Sequence, residues 1–167
     1  MPKNERGFSL IELLIVVAII LIIAAIAVPT FLRSRMAANE ASAVASLRNI
    51  GTAQVAYSST YPTLGFAPDL NTLGPGSGST TSSSSTNAML LDNILGCTAG
   101  VGIAPCPKSG YNFNITTIAG TPITDYSSNA NPVSPGSTGQ RYFFTDSSQV
   151  VRYNASAVAS STDPPIQ

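Results

Sequence analysis

Residues 7–12, Gly7-Phe8-Ser9-Leu10-Ile11-Glu12, open a hydrophobic run that is otherwise free of charge, and their reading decides the fold. No side chain from Leu13 to Leu32 is ionisable. At about 1.5 Å per residue this run makes ~30 Å of helix, the thickness of a bilayer's hydrocarbon core. A carboxylate within such a span costs about 2.5–3.5 kcal/mol on insertion scales, and less near the interface, so Glu12 needs a partner or a purpose. Cutting the chain between Gly7 and Phe8 would supply one, because the new amine lies four residues before Glu12.

Composition narrows the function classes. The 167 residues suit one domain plus an anchor. Eight basic and eight acidic residues give zero formal charge, which excludes the basic field of a nucleic-acid binder and shows no specific nucleic-acid site. Charged residues make up only 10% of the chain, against about 25% in ordinary soluble domains. Such a weakly charged surface suits an exported protein that packs against copies of itself. There is no His, so the usual general base and the commonest metal ligand are missing. No Ser-x-x-Lys or Gly-x-Ser-x-Gly motif stands in the chain, and Asp125 and Asp146 read as strand-end or turn residues. The expectation is a protein that is not an enzyme and holds no cofactor or metal.

The first residues admit three readings. A basic start (Lys3, Arg6), an apolar core and Ala25-Ile26-Ala27 fit a secretory signal peptide, but the run exceeds the usual ~7–15 residues and carries Glu12. A plain single-pass anchor is the second, although Arg33 and Arg35 balance Lys3 and Arg6 and leave its orientation open. The third fits more residues. A six-residue basic leader, the Gly7–Glu12 motif and a long apolar helix together resemble the type IV prepilin class, with a class III leader and methylation motif. That resemblance implies cleavage after Gly7 and methylation of the new terminus at Phe8 by a membrane aspartyl peptidase. It implies an assembly role for Glu12, the position of the family's functional glutamate.

The next stretch turns amphipathic. Val44, Leu47, Ile50, Ala53 and Tyr57 recur on one side of a helix, and Glu40, Arg48 and Asn49 are expected largely on the other. Ala37, Ala38, Ala41, Ala43 and Ala45 favour helix and close packing. Phe8 to Tyr57 would make ~75 Å of helix if continuous. Pro29 removes one hydrogen bond from that helix and is expected to kink it. Many pilins carry a proline here and can unwind just before it, but the glycine that many also have eight residues earlier is Leu21 in this chain.

The organisation expected is a cleaved leader (1–7), a long helix (8–58) whose membrane or filament-core half is 8–32, and an exported head (59–167) with a variable loop at 59–110. Within that loop, 74–87 is low-complexity and reads as a flexible surface loop, and Met89 to Leu95 as a short apolar helix capped by Thr86 or Asn87 and stopped by Gly96. Tyr111, Phe113 and Ile115 alternate with polar residues as a half-buried strand, and 124–133 makes a weaker one that Pro132 ends or places at an edge. Arg141–Thr145 and Val150–Tyr153 form a hairpin around residues 146–149, and the tail from Ser160 is extended. The fold class is α+β, a four-stranded antiparallel sheet over the C-terminal half of the helix, in an order that resembles type IVa pilins. Lys108–Tyr111 and Gly139–Asp146 look like a subset of soil-bacterial pilins, which usually have glycine where Gln149 stands. Cys97 and Cys106 would form a disulfide in an oxidising compartment, against the alternatives of free thiols or a separation too short to bridge.

The resemblance implies a pilus subunit whose partners are identical subunits, a prepilin peptidase that also methylates, the pilus assembly machinery and the bacterial inner membrane before export to the cell surface. Adhesion, twitching motility and DNA uptake are all tasks of similar filaments. A pseudopilin of a type II secretion system or a minor pilin is the alternative. Major pseudopilins carry a calcium loop near the C-terminus, whereas beyond Tyr142 this chain has only Asp146 and Asp163 as carboxylates.

Overall fold

A computed structural model describes residues 8–76, 82–97, 105–118 and 120–166. The leader, including Gly7, and part of the low-complexity loop lie outside the described residues. The division between two compact units falls between Arg35 and Met36.

One helix, α1 (Leu10–Thr60), contains the whole apolar run and continues through Pro29. Thr30 Oγ1 donates to Ile26 O at 3.1 Å, just after the proline that lacks its own donor. In the first unit the helix is apolar all round, and a window of it reaches a mean hydropathy of 3.3 with none of it buried. Seventeen large apolar side chains between Phe8 and Leu32 are exposed. Covering each is worth about 1.5–3 kcal/mol, so the total reaches tens of kcal/mol. A surface of this kind belongs against lipid or other helices.

In the second unit α1 buries a single face. Leu47, Ile50, Ala53 and Tyr57 are at most 5% exposed, and Val44 packs beside them, as the periodicity requires. Arg48 and Asn49 are exposed as expected, but Glu40 is buried on the sheet side, contrary to expectation. It lies seven residues, or two turns, before Leu47 and so shares its face. Gln54, fully buried, closes two hydrogen bonds with Ala67, from Nε2 to O at 3.0 Å and from N to Oε1 at 2.7 Å.

The variable segment departs most from expectation. A one-turn helix, α2 (Leu70–Leu73), is capped by Asp69, whose Oδ1 accepts from Thr72 N at 2.7 Å. Residues 89–95 do not form a helix. Ala88 N, Leu90 N and Leu91 N donate to carbonyls of Thr72 and Leu73, and Met89, at φ 56°, donates to Gly74 O. Those donors tie the backbone to α2 outside any helix, which leaves one turn from Asp92 to Gly96, with Asp92 Oδ1 as its cap on Leu95 N at 2.9 Å. The low-complexity stretch is also anchored, because Tyr57 Oη donates to Ser85 O at 2.7 Å.

The sheet has five antiparallel strands in sequential order rather than four: β1 (Cys106–Lys108), β2 (Tyr111–Thr117), β3 (Tyr126–Pro132), β4 (Tyr142–Asp146) and β5 (Arg152–Asn154). The additional strand, β1, is an edge strand, where Pro107 is tolerated. Tyr111 and Phe113 of β2, Ala130 of β3 and Phe143 of β4 meet Leu47 and Ile50 of α1 in one core. Pro132 does end β3, opposite Tyr111 and beyond the residues that pair with β4. Gln149 holds the β4–β5 turn at φ 60° and donates from its N to Asp146 O at 2.8 Å, which explains why glycine suits this position in the similar subset. The tail is not free, because Tyr153 N donates to Pro164 O and Ile166 N to Val151 O, adding it to the edge of β5.

Candidate processing and assembly site

The N-terminus of α1 is built by Ser9-Leu10-Ile11-Glu12. Ser9 O accepts from Glu12 N at 3.1 Å and Leu13 N at 3.2 Å, starting the helix. Glu12 Oε2 reaches back to accept from Ser9 N at 2.9 Å. This is one half of a capping box, and the carboxylate also stands at the positive end of the helix dipole. Ser9-x-x-Glu12 is a signature of this cap readable in the sequence, beside the assembly role that the family resemblance implies for Glu12. Among the described residues Oε1 has no hydrogen bond, so the group keeps acceptor capacity for a second donor. Phe8, at 77% exposure, is open to solvent immediately before the capped turn. Glu12 therefore sits at the entrance of a wholly apolar, wholly exposed helical surface.

The head carries a second set of expected residues. Cys97 and Cys106 form a disulfide, with Cα atoms 5.4 Å apart. Cys106 is buried and pairs with Phe113, so the bridge fastens the Asp92–Cys97 turn to the outer strand β1. Lys108 Nζ reinforces it at 3.1 Å from Asp92 Oδ2. Burial opposes the charge on Asp92, but the Leu95 N–H and Lys108 outweigh it and hold the carboxyl below its ordinary range. The bridge thus pins the variable segment, away from the C-terminal edge.

The two late carboxylates are already engaged. Asp146 Oδ1 accepts from both Ser148 N and Ser148 Oγ. Asp163 accepts from Ser160 N, Ser160 Oγ and Asn154 Nδ2. Among the described residues no three potential metal ligands gather.

Residues 2–28 match the model of the prokaryotic N-terminal methylation motif. The chain is 44% identical over 75 residues to the type IV major pilin protein PilA of Myxococcus xanthus, covering 41% of this chain and 34% of that protein. It is 49% identical over 47 residues to the type IV wide pilus major component PilA4 of Thermus thermophilus, covering 28% of this chain and 36% of that one. The chain thus spans about a third of the length of these relatives. No solved structure matches it. The methylation motif, the two pilin relatives and the long helix on an antiparallel sheet together support a type IV pilin.

Proposed function

We propose that the chain is the structural subunit of a type IV pilus. It is inserted in the bacterial inner membrane through 8–32, cut by prepilin peptidase between Gly7 and Phe8, methylated at Phe8, and polymerised by the assembly machinery into a cell-surface filament of identical subunits. The observation that carries this reading is the exposed apolar surface from Phe8 to Leu32, interrupted by one carboxylate at its N-terminal end. In the membrane, lipid covers it. In the filament, neighbouring copies do so, and Glu12 accepts the ammonium of Phe8 from an adjacent subunit. A carboxylate taken into such an interior is tolerated when paired and hydrogen-bonded, and is costly when left alone. The pseudopilin reading is not favoured, because both relatives bear the names of pilus components.

Two measurements test the proposal. Intact mass and N-terminal sequencing of protein sheared from cells should give a chain that starts at methylated Phe8. A start at Val28 would return the segment to a signal peptide. Glu12→Ala should be cut and membrane-inserted normally yet leave sheared filaments reduced at least tenfold. Normal piliation by that variant refutes the pairing role.

A further inference from the structure

The expectation that Glu40 faces away from the sheet failed, and what it does instead is specific. Its side chain is 11% exposed, and its carboxylate meets three donors. Oε1 accepts from Gln140 N at 2.9 Å and Arg141 N at 3.2 Å, and Oε2 from Arg141 Nε at 2.7 Å. Two successive backbone N–H groups and a guanidinium aimed at one point make a carboxylate receptor. The guanidinium is itself held: its carbon lies 5.4 Å from the Phe143 ring centroid and 5.5 Å from that of Tyr153. Arg141 O accepts from Tyr111 Oη at 2.8 Å. One residue before Glu40, Asn39 Nδ2 donates to Thr138 O at 2.8 Å. One turn of α1 thus holds the end of the β3–β4 connection, at Thr138, Gln140 and Arg141.

We infer that Gln140 N, Arg141 N and Arg141 Nε form a carboxylate-binding site, occupied in cis by ionised Glu40, and that acid opens the β3–β4 connection by discharging this ligand. The charged and titratable groups facing Glu40 are Arg141 from β4, Tyr111 from β2 through Arg141 O, and Tyr153 from β5 beneath the guanidinium. Residues 36–44 of α1 add none besides Glu40 itself. Burial raises the Glu40 pKa, but the donated hydrogen bonds and the Arg141 charge outweigh it, so it lies below its ordinary 4.5. A depressed carboxylate contributes stability above its unfolded pKa and loses it as pH falls through the folded value. The clasp is therefore closed at neutral pH and opens below about pH 4.5. The inference stands on the head alone and does not require the pilus reading.

The test uses the full chain in detergent micelles, with Glu40→Gln and Glu40→Ala. Against Glu40→Gln, the wild-type Tm should be higher by roughly 4–8 °C at pH 7, and the gap should close as the pH falls below 4.5, the ordinary value from which the Glu40 carboxyl is lowered. At pH 7, Glu40→Ala should exchange the Gln140 and Arg141 amides at least tenfold faster than wild type. Formate at a few hundred millimolar should slow that exchange again, whereas chloride at equal ionic strength should not. A gap independent of pH overturns the acid-opened clasp. Formate acting no better than chloride overturns the receptor. If Glu40→Ala does not fold, amide exchange and Tm in Glu40→Gln decide alone, and wild-type values there overturn both.

Discussion

Replacing Gly139 by alanine tests the packing that supports the Glu40 receptor. A Cβ on Gly139 would overlap the Tyr111 hydroxyl and lie 2.6 Å from Cζ and 2.7 Å from Cε2 of that ring. The ring has little room to retreat, since Tyr111 is fully buried and stands 5.7 Å from the Phe143 ring. Overpacking of this kind costs about 1–3 kcal/mol. Displacing the hydroxyl also strains its bond to Arg141 O, worth about 0.5–1.5 kcal/mol. The sum, roughly 2–4 kcal/mol, should lower Tm by about 4–16 °C for a chain of this size. Thermal unfolding of the full chain in detergent at pH 7, followed by near-ultraviolet circular dichroism, measures it. Tyr111→Phe alone should cost about 1 kcal/mol, and in the Gly139→Ala background it should cost less, because it removes the colliding oxygen. A Gly139→Ala Tm within a degree of wild type refutes the close approach. Strict additivity within about 0.3 kcal/mol refutes the claim that the hydroxyl is what collides.

Replacing Cys97 and Cys106 with serine opens a ten-residue loop, which chain entropy values at about 2.5–3 kcal/mol, so the urea midpoint of the head should fall with an almost unchanged slope. Gly51→Ala should stabilise the head by about 0.5–1 kcal/mol in the same assay, because the added Cβ sits at an ordinary 3.5 Å from Tyr126 Oη and the helix gains an alanine. Among the described residues the buried Tyr126 hydroxyl has no hydrogen-bond partner, so Tyr126→Phe should be neutral or slightly stabilising, and a loss above about 1 kcal/mol would reveal one. Burial, with Asp146 and Asp125 nearby, pushes that phenol up to about 12, so ultraviolet titration should find it ionising above the ordinary tyrosine value of about 10.

What was legible in the sequence was whatever depends on near neighbours. Leu47, Ile50, Ala53 and Tyr57 announce their common face by spacing alone, and the alternation in Tyr111–Thr117 announces β2. Residues 89–95 mislead because their apolar run fits a helix in isolation, while Thr72, Leu73 and Gly74, fifteen or more residues away, offer carbonyls that tie its first residues down outside a helix. Strand β1 was illegible for a related reason: three residues containing Pro107 carry no period, and only pairing with β2 makes them a strand. Glu40 was misplaced by giving its charge more weight than its position. The receptor that makes its burial tolerable lies a hundred residues downstream, in Gln140 and Arg141. At the N-terminus the motif points to Gly7 and Phe8 as the residues proposed for processing, but the cap that Glu12 makes within its own chain is hidden behind its expected partner in another.

The two carboxylates of α1 differ in a way that makes the role of Glu12 separable from its cap. Glu40 has three donors within its own chain, whereas among the described residues Glu12 has one, Ser9 N, and Oε1 has none. A carboxylate offers about four lone-pair sites, so Glu12 has capacity to spare, and a neighbour's ammonium supplies up to three donors to fill it. Capping and pairing make opposite predictions for Glu12→Gln. In a capping box glutamine serves at this position as well as glutamate, since only an acceptor is needed for the Ser9 N–H. If the cap were the whole of its function, Glu12→Gln would restore filaments that Glu12→Ala loses. If the charge pairs with the Phe8 amine, glutamine should fail almost as badly as alanine, because a neutral amide leaves the ammonium uncompensated in an apolar interior. Counting sheared filaments for the two variants, at equal cleavage and equal membrane content, separates the roles. Full piliation by Glu12→Gln would leave Glu12 as a helix cap and nothing more.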